Sequence, residues 1–203
     1  YKAEDFEKLS DIVEVWFDSG STHSFVLEKR EDLKWPASMY LEGSDQHRGW
    51  FHSSLLESCG TRGRAPFESI LSHGFVVDGK GLKMSKSLGN VIAPEEILKK
   101  YGADILRIWV ASSNYAEDLR IDYGILDQHA DSYRKIRNTF RYLLGNLNDK
   151  LEEINLHELK INELPELEQF MLHKIFTLNQ NFNRYFKNYD FHNLYKELLN
   201  FCT

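Results

Sequence analysis

Residues 38–57 read SMYLEGSDQHRGWFHSSLLE, placing a short apolar run, a glycine turn and a longer helical pattern in direct succession. This order predicts a strand over 38–43 and a helix over 45–57. A second apolar run, SILSHGFVV at 69–77, predicts another strand that ends before an Asp-Gly turn. Two strands separated by one helix are typical of a βαβ crossover in a parallel sheet.

The carboxyl ends of these two strands mark the first candidate site. Ligands of open parallel sheets bind where the strands end. Residues 42–46 (EGSDQ) and residues 73–74 (HG) fall near those ends. We therefore expect their polar side chains to face a ligand.

The flanking segments extend this pattern and then replace it with helices. Upstream, IVEVWF at 12–17 predicts a further strand that ends in the turn DSG. Downstream of Gly89, the apolar spacing changes to three and four residues, which is typical of amphipathic helices. The predicted helices are one from Pro94 to Gly102, one over 104–111, and three longer ones beginning at Ile125, Pro165 and Asp190. The sequence predicts an α/β part over 1–120 and an all-α helical bundle over 121–203.

Composition narrows the class of protein. The chain has 203 residues, of which 42% are hydrophobic, so it can bury a core. Its formal net charge of −6 argues against a dedicated nucleic-acid-binding domain, since such domains are usually basic. Cys59 and Cys202 are far apart, which excludes a disulfide scaffold and favours a reducing, cytoplasmic setting.

No apolar run approaches the roughly 20 residues that a bilayer crossing needs, so no membrane partner is expected. The chain has no initiator Met and stops within the apolar stretch 198–203. We expect it to be a piece of a longer protein.

The segment KMSKS at 83–87 is the sharpest chemical feature. Two lysines and two hydroxyls lie within five residues, and Gly79, Gly81 and Gly89 flank them. Glycines allow the backbone to approach an anion closely, while ammonium and hydroxyl groups donate to phosphate oxygens. The segment therefore indicates a polyphosphate site. The alternative is a solvated surface loop, because loops are normally polar.

The wider context resembles a known family. Residues 73–90 as a whole resemble the signature loop of class I aminoacyl-tRNA synthetases. Residues 40–51 are similar to the adenylate-binding strand and turn of the bacterial isoleucyl type. Residues 15–21 look like the stretch that follows its inserted editing domain, and residues 131–139 resemble the first helix of its anticodon domain. The four blocks occur in the family's order.

This resemblance implies a fold and a reaction. Residues 1–120 would be the C-terminal half of a class I Rossmann-like catalytic domain, and residues 121–203 the start of the helical anticodon-binding domain. The whole enzyme would activate isoleucine with ATP to isoleucyl-AMP and transfer it to tRNA(Ile). Two alternatives stay open: a valyl- or leucyl-type synthetase, and a non-catalytic helical module that binds tRNA or protein.

The resemblance also implies roles in ATP binding. Lys86 would contact the ATP phosphates and promote activation, and Lys83 would support it. Met84, Ser85, His73 and Gly74 would complete the contacts with ATP.

A second set of roles concerns the aminoacyl-adenylate. Glu42 would bind it, and Gly43, Asp45 and Gln46 would line its ribose and amino-acid end, because carboxylates and amides accept from hydroxyls and an ammonium. The alternative for Glu42 and Asp45 is strand-end and helix-cap chemistry. Trp16 and Trp50 would form walls of the isoleucine pocket; the alternative is that both are core tryptophans.

Basic residues on the first long helix provide the candidate tRNA surface. Arg134, Lys135, Arg137 and Arg141 lie away from the apolar stripe, where they can meet the tRNA backbone. A solvated helix face with salt-bridging partners is an equal alternative.

One departure from the family limits these expectations. Class I enzymes need a His-x-Gly-His signature, which this chain lacks. We place the signature upstream and a zinc-binding end downstream, so the chain alone should not activate isoleucine. The resemblance implies Mg²⁺ with ATP, no metal site within these residues and a monomeric parent protein.

Overall fold

The computed structural model describes residues 2–147 and 160–203, which fall into two compact units, Tyr1–Phe75 and Val76–Thr203. Within the first unit, strand β1 (Tyr40–Gly43) pairs with strand β2 (Ile70–His73) in parallel. Helix α2 (Trp50–Arg62) connects them. The predicted βαβ crossover is confirmed.

The predicted helix over 45–57 is shifted. Residues Ser44–Arg48 form a 3₁₀ turn, and α2 begins only at Trp50. The helix ends at Gly63, whose φ of 73° lies in the left-handed region that favours glycine at a helix C-terminus.

The predicted strand over 12–17 is wrong, because residues Val15–Gly20 form a helix, α1. Glu14 caps its first turn by accepting from the Trp16 backbone N–H at 2.7 Å. Helix α1 packs on α2, where a Cβ at Gly20 would lie 3.0 Å from Ser53 Cβ. This close packing overrides the strand preference of Val, Trp and Phe.

The second unit contains another parallel pair. Strand β3 (Val76–Asp78) pairs with strand β4 (Leu119–Ile121), so Asp78 lies opposite Ile121. The prediction of one strand over 69–77 is wrong, since β2 and β3 belong to different two-stranded sheets. Strand β4 was not predicted, because three residues are too few to show a period.

Helices make up most of the second unit. They are α3 (Pro94–Tyr101), α4 (Ala103–Ser112), α5 (Tyr123–Leu147), α6 (Glu166–Lys187) and α7 (Phe191–Phe201). The predicted Pro94 start and Gly102 end are confirmed, and the Asp190 side chain caps α7 by accepting from Asn193 N–H.

The core of the second unit lies between α3, α4, β4 and the start of α5. It consists of six buried apolar side chains: Ile97, Ile105, Trp109, Leu119, Ile121 and Leu126. The apolar stripe predicted along α5 is buried at Ile136, whereas Phe140, Leu143 and Leu144 are exposed. In the part of the chain that the structure describes, no helix is long and apolar enough to cross a bilayer.

The functional division into a catalytic part, 1–120, and a helical part, 121–203, stays a prediction. Its boundary falls inside β4, which pairs with β3.

Candidate active site

The carboxyl ends of β1 and β2 gather several of the predicted residues in the first unit. The register places Gly43 opposite His73. A Cβ at Gly43 would lie 2.6 Å from Asp45 Oδ1 and 3.7 Å from His73 Cε1, so these three residues are neighbours. Glu42 is exposed, and no residue that the structure describes bonds its carboxylate. The predicted site therefore presents an unpartnered carboxylate beside a crowded glycine.

The imidazole of His73 has a defined orientation. Its Nδ1 lies 2.7 Å from the Gly74 carbonyl oxygen. Because a carbonyl oxygen only accepts, Nδ1 carries the proton. This tautomer leaves Nε2 as an acceptor.

Gln46, rather than Asp45, caps helix α2. Its Oε1 accepts from the Trp50 backbone N–H at 3.0 Å, while its Nε2 donates to Asp45 Oδ2 at 3.3 Å. The helix-cap alternative is thus wrong for Asp45. The Gln46 carboxamide holds the Asp45 carboxylate at the strand end.

The two tryptophans occupy different environments. Trp16 is 42% exposed, so the core alternative is wrong for this residue. Its ring edge lies over Gly49, where a Cβ would come within 3.2 Å of Trp16 Cη2. Trp50 is half-buried and stacks on Tyr40 with ring centroids 4.2 Å apart.

The KMSKS segment lies in the second unit and follows a tight turn. Beyond β3, the Asp78 backbone N–H donates to the Leu82 carbonyl at 2.9 Å, and Val77 bridges Lys83 in antiparallel fashion. Gly81 has a φ of 83°, a conformation that glycine adopts without strain. The chain therefore reverses between β3 and Lys83.

The rest of the segment forms a single 3₁₀ turn. Ser85 Oγ accepts from the Leu88 backbone N–H at 3.3 Å, and the turn Lys86–Leu88 ends at Gly89 with a φ of 64°. Lys83 and Lys86 are exposed, and neither ammonium group has a hydrogen bond or ion pair with the residues described. Both charges are available to an anion.

Two residues that had no predicted role, Asp78 and Asn90, organise this segment. Asn90 Nδ2 donates to Asp78 Oδ2 at 2.9 Å, and Asn90 Oδ1 accepts from Ser85 N–H at 2.9 Å. The Asn90 amide, followed by the Leu82 and Lys80 backbone N–H groups, holds the pKa of Asp78 below its usual value. The pairs Asp78-Gly79 and Gly89-Asn90 are typical of turns, but neither pair predicts the contact between Asp78 and Asn90.

Another carboxylate, that of Asp122, lies against the turn at Gly79. Asp122 Oδ1 accepts from the Ile125 backbone N–H at 2.7 Å and so caps the start of α5. Its Oδ2 occupies the space that a side chain at Gly79 would need. Gly79 is therefore required here by close approach.

The predicted tRNA surface lies on α5. Arg137 and Arg141 line an open cavity of about 550 Å³ and have no partner among the described residues. Arg134 instead forms an exposed ion pair with Asp131 at 2.6 Å. The structure thus brings Arg137 and Arg141 together and engages Arg134 in a local salt bridge.

No three His, Cys, Asp or Glu side chains within residues 2–147 and 160–203 are grouped as metal ligands.

Comparison with known families identifies one match. The family described as tRNA synthetases class I (I, L, M and V) matches residues 1–122, more than half of the chain.

Two curated relatives match nearly all of the chain. The isoleucine–tRNA ligase of Pelagibacter ubique (strain HTCC1062) is 85% identical over 203 residues, which is 100% of this chain and 22% of that protein. The isoleucine–tRNA ligase of Geobacter sulfurreducens is 56% identical over 198 residues, covering 98% of this chain and 21% of that protein. The chain thus spans about a fifth of the length of these relatives.

Two solved structures share the fold. The LeuRS of Agrobacterium radiobacter K84 agnB2, in a ternary complex with tRNA and LeuAMS, matches with a TM-score of 0.70 at 18% identity. This match covers 82% of this chain and 22% of that chain. Mycobacterium tuberculosis methionyl-tRNA synthetase with methionyl-adenylate matches with a TM-score of 0.69 at 18% identity, over 90% of this chain and 36% of that chain.

Proposed function

The chain belongs to the class I tRNA synthetase family, and from this premise we propose that the protein containing it is an isoleucine–tRNA ligase. The 85% identity to the Pelagibacter ubique ligase over every residue of the chain favours isoleucine over valine or leucine as the substrate. In the proposed reaction, the isoleucine carboxylate attacks the α-phosphate of ATP and pyrophosphate leaves. A hydroxyl of the 3′-terminal ribose of tRNA(Ile) then attacks the carbonyl of isoleucyl-AMP, so that the isoleucyl ester forms and AMP leaves.

The observation that carries this proposal is the pair of unpartnered ammonium groups of Lys83 and Lys86 on a turn that is fixed at both ends. Negative charge shifts onto the leaving pyrophosphate as the α-phosphate is attacked. Cations held in advance near that charge stabilise the transition state more than the ground state. Lys86 would contact the phosphates directly with Lys83 in support, and Met84 and Ser85 would add contacts from the same segment. His73 and Gly74 stay proposed as ATP-binding residues.

The exposed Glu42 carboxylate would bind the adenylate. Gly43 leaves room for backbone approach, and Asp45 would accept from ribose hydroxyls or the substrate ammonium. Gln46 would line the same site while it caps α2. Gln46 can cap the helix and line the site at the same time, because its Oε1 accepts from the Trp50 N–H while its Nε2 lies beside the Asp45 carboxylate.

Trp16 and Trp50 would contact the isoleucine side chain. The exposed face of Trp16 offers apolar surface, worth about 25 cal/mol per Å² that the ligand removes from water. One methylene distinguishes isoleucine from valine and provides only about 1–3 kcal/mol of discrimination. An editing activity would therefore be needed elsewhere in the protein.

For tRNA, we propose that Arg137 and Arg141 contact the backbone, since their guanidinium groups have no partner in the described structure. Arg134 would join them only by leaving Asp131. Mg²⁺ would enter with ATP, and we assign none of its ligands to this chain. We further propose a monomeric, cytoplasmic parent enzyme, with any zinc site outside these residues.

The test is isoleucine-dependent ATP–pyrophosphate exchange by the full-length protein. We expect Lys86→Ala to lower kcat by about 10²- to 10³-fold, as the loss of a transition-state charge contact does. The matched control is Lys187→Ala, an exposed lysine on α6.

Exchange that depends on valine or leucine instead would assign the protein to a sister synthetase. A protein that binds tRNA and shows no amino-acid-dependent exchange would be a non-catalytic module, and the proposal would be wrong.

A further inference from the structure

The hydrogen bond between Asp78 and Asn90 joins the residues that flank the KMSKS segment on either side. Asp78 closes strand β3, and Asn90 follows the left-handed Gly89. We propose that Asp78 and Asn90 are positioning residues that fix the conformation of residues 83–87 and thereby place the Lys83 and Lys86 ammonium groups for adenylate formation. This role rests on the proposed function.

The Asn90 carboxamide uses both of its ends. Its Nδ2 donates to Asp78 Oδ2 at 2.9 Å and to the Lys83 carbonyl oxygen at 3.3 Å. Its Oδ1 accepts from the Ser85 backbone N–H at 2.9 Å. The planar Asn90 carboxamide therefore binds Asp78 at the end of β3, and Lys83 and Ser85 within the segment.

The Asp78 carboxylate orders the other side. Its Oδ1 accepts from the backbone N–H groups of Lys80 at 3.0 Å and Leu82 at 2.8 Å. Its Oδ2 accepts from Asn90, so the carboxylate connects the turn after β3 to the end of the segment. Neither side chain needs to reach a substrate to have this effect.

Few other contacts hold the segment. In the described structure, the antiparallel bridge between Val77 and Lys83 holds the start of the segment. Beyond it, the hydrogen bond from Ser85 N–H to Asn90 Oδ1 is the one that joins residues 85–88 to a residue outside 85–89. Met84 adds apolar packing against the buried cluster. The lysine side chains themselves are exposed.

Without the Asn90 amide, the Lys83 and Lys86 ammonium groups would sample many positions instead of one. Electrostatic stabilisation of a transition state requires charges that are already in place, because reorganisation during the reaction costs energy. The defect should therefore appear in kcat of the activation step. The KM for isoleucine should change little, since Asn90 does not contribute to that pocket.

The kinetic test uses the full-length protein with Asn90→Ala. We expect kcat for isoleucine-dependent exchange to fall about 10- to 100-fold while the KM for isoleucine stays within about twofold. The control is Asn183→Ala, because among the described residues the Asn183 amide bonds only to the Asn179 carbonyl in its own helix. An unchanged kcat in Asn90→Ala would overturn the positioning role.

A side-chain exchange separates positioning from general damage. Asn90→Asp sets two carboxylates against each other and removes both amide donors, so it should be at least as impaired as Asn90→Ala. The pair Asp78→Asn/Asn90→Asp again places an amide against a carboxylate and should recover most of the lost kcat. A double variant whose kcat does not exceed that of the single variants would overturn the proposal, even if Asn90→Ala folds poorly.

Limited trypsin digestion gives a readout that does not need activity. Asn90→Ala should be cleaved faster after Lys83 and Lys86 than the parent protein or Asn183→Ala, and the exchanged pair should regain resistance. Equal cleavage rates would contradict the role. If the parent protein shows no isoleucine-dependent exchange, the proposed function fails, whereas the cleavage rates still test whether Asn90 holds the segment.

Discussion

The indole N–H of Trp50 donates a hydrogen bond of 2.8 Å to the backbone carbonyl of Ser19, so the first side chain of α2 holds the end of α1. The same ring stacks on Tyr40 in β1. One side chain thus joins the helix that carries Trp16 to the strand that carries Glu42.

Trp50→Phe keeps an aromatic ring beside Tyr40 but removes the donor to Ser19. We expect a lower melting temperature, corresponding to about 0.5–1.5 kcal/mol for the lost hydrogen bond, and a higher KM for isoleucine, because α1 and Trp16 lose their tether. Thermal unfolding and exchange kinetics on the full-length protein measure both effects. Leu56→Ala, at an exposed position of α2, is the control. An unaltered KM would show that Trp50 does not position α1.

Gly20 and Gly60 provide a matched pair of glycine substitutions. A Cβ at Gly20 would lie 2.5 Å from Glu57 Oε1 and 3.0 Å from both Ser53 Cβ and Ser54 N, so Gly20→Ala should destabilise by about 1–3 kcal/mol. A Cβ at Gly60 would meet nothing within 4 Å. Gly60→Ala should therefore stabilise by about 0.5–1 kcal/mol. Thermal melting of the two variants checks the opposite signs; equal shifts would contradict the close packing of α1 on α2.

His129 should titrate below the usual histidine range, because burial lowers its pKa. Its Nε2 lies 3.5 Å from Ser112 Oγ, its ring lies beside Tyr195, and the cavity they share, about 290 Å³, is also lined by Arg120 and Lys196. The NMR titration of this imidazole should have its midpoint below about 6.5.

This shift has a defined effect on stability. The folded pKa is depressed, so the stabilising contribution is complete above the unfolded pKa of about 6.5 and is lost as pH falls through the folded pKa. His129→Gln should remove that part of the pH dependence, which begins as the pH falls below about 7. Identical melting curves against pH for both proteins would refute the shift.

Arg137→Ala and Arg141→Ala should each weaken tRNA binding by the full-length protein. Each phosphate contact that is lost should reduce the slope of log K against log salt by about 0.7–0.9. Arg134→Ala should have a smaller effect, because Asp131 already neutralises its charge. Titrations at several salt concentrations measure the slopes, and equal slopes in all three variants would argue against a tRNA contact at Arg137 and Arg141.

The parallel pairing of β1 with β2 followed from the sequence, because an apolar run, a helix and a second apolar run leave few alternatives. The neighbourhood of Gly43, Asp45 and His73 then followed from strand ends alone. The start of α3 was equally evident, since Pro94 fits a first helical turn.

Tertiary packing decided what the sequence did not reveal. Residues 12–17 have strand-forming side chains, yet contact between α1 and α2 at Gly20 requires a helix. Strand β4 depends on its partner β3, which no local pattern encodes. The shift of the α2 start to Trp50 depends on a cap supplied by Gln46, a residue that is rarely assigned to this task.

The Asp122 side chain contacts both the turn that leads into the KMSKS segment and the first turn of helix α5. One oxygen of its carboxylate starts α5, the helix that bears Arg137 and Arg141, while the other fills the space beside Gly79 at the base of the turn that precedes Lys83. Enlarging residue 79 would displace this carboxylate and remove the side-chain cap of α5, at a cost of about 0.5–2 kcal/mol. Engineering of the KMSKS segment and engineering of helix α5 are therefore not separate tasks, since a change in either must be compatible with the same carboxylate.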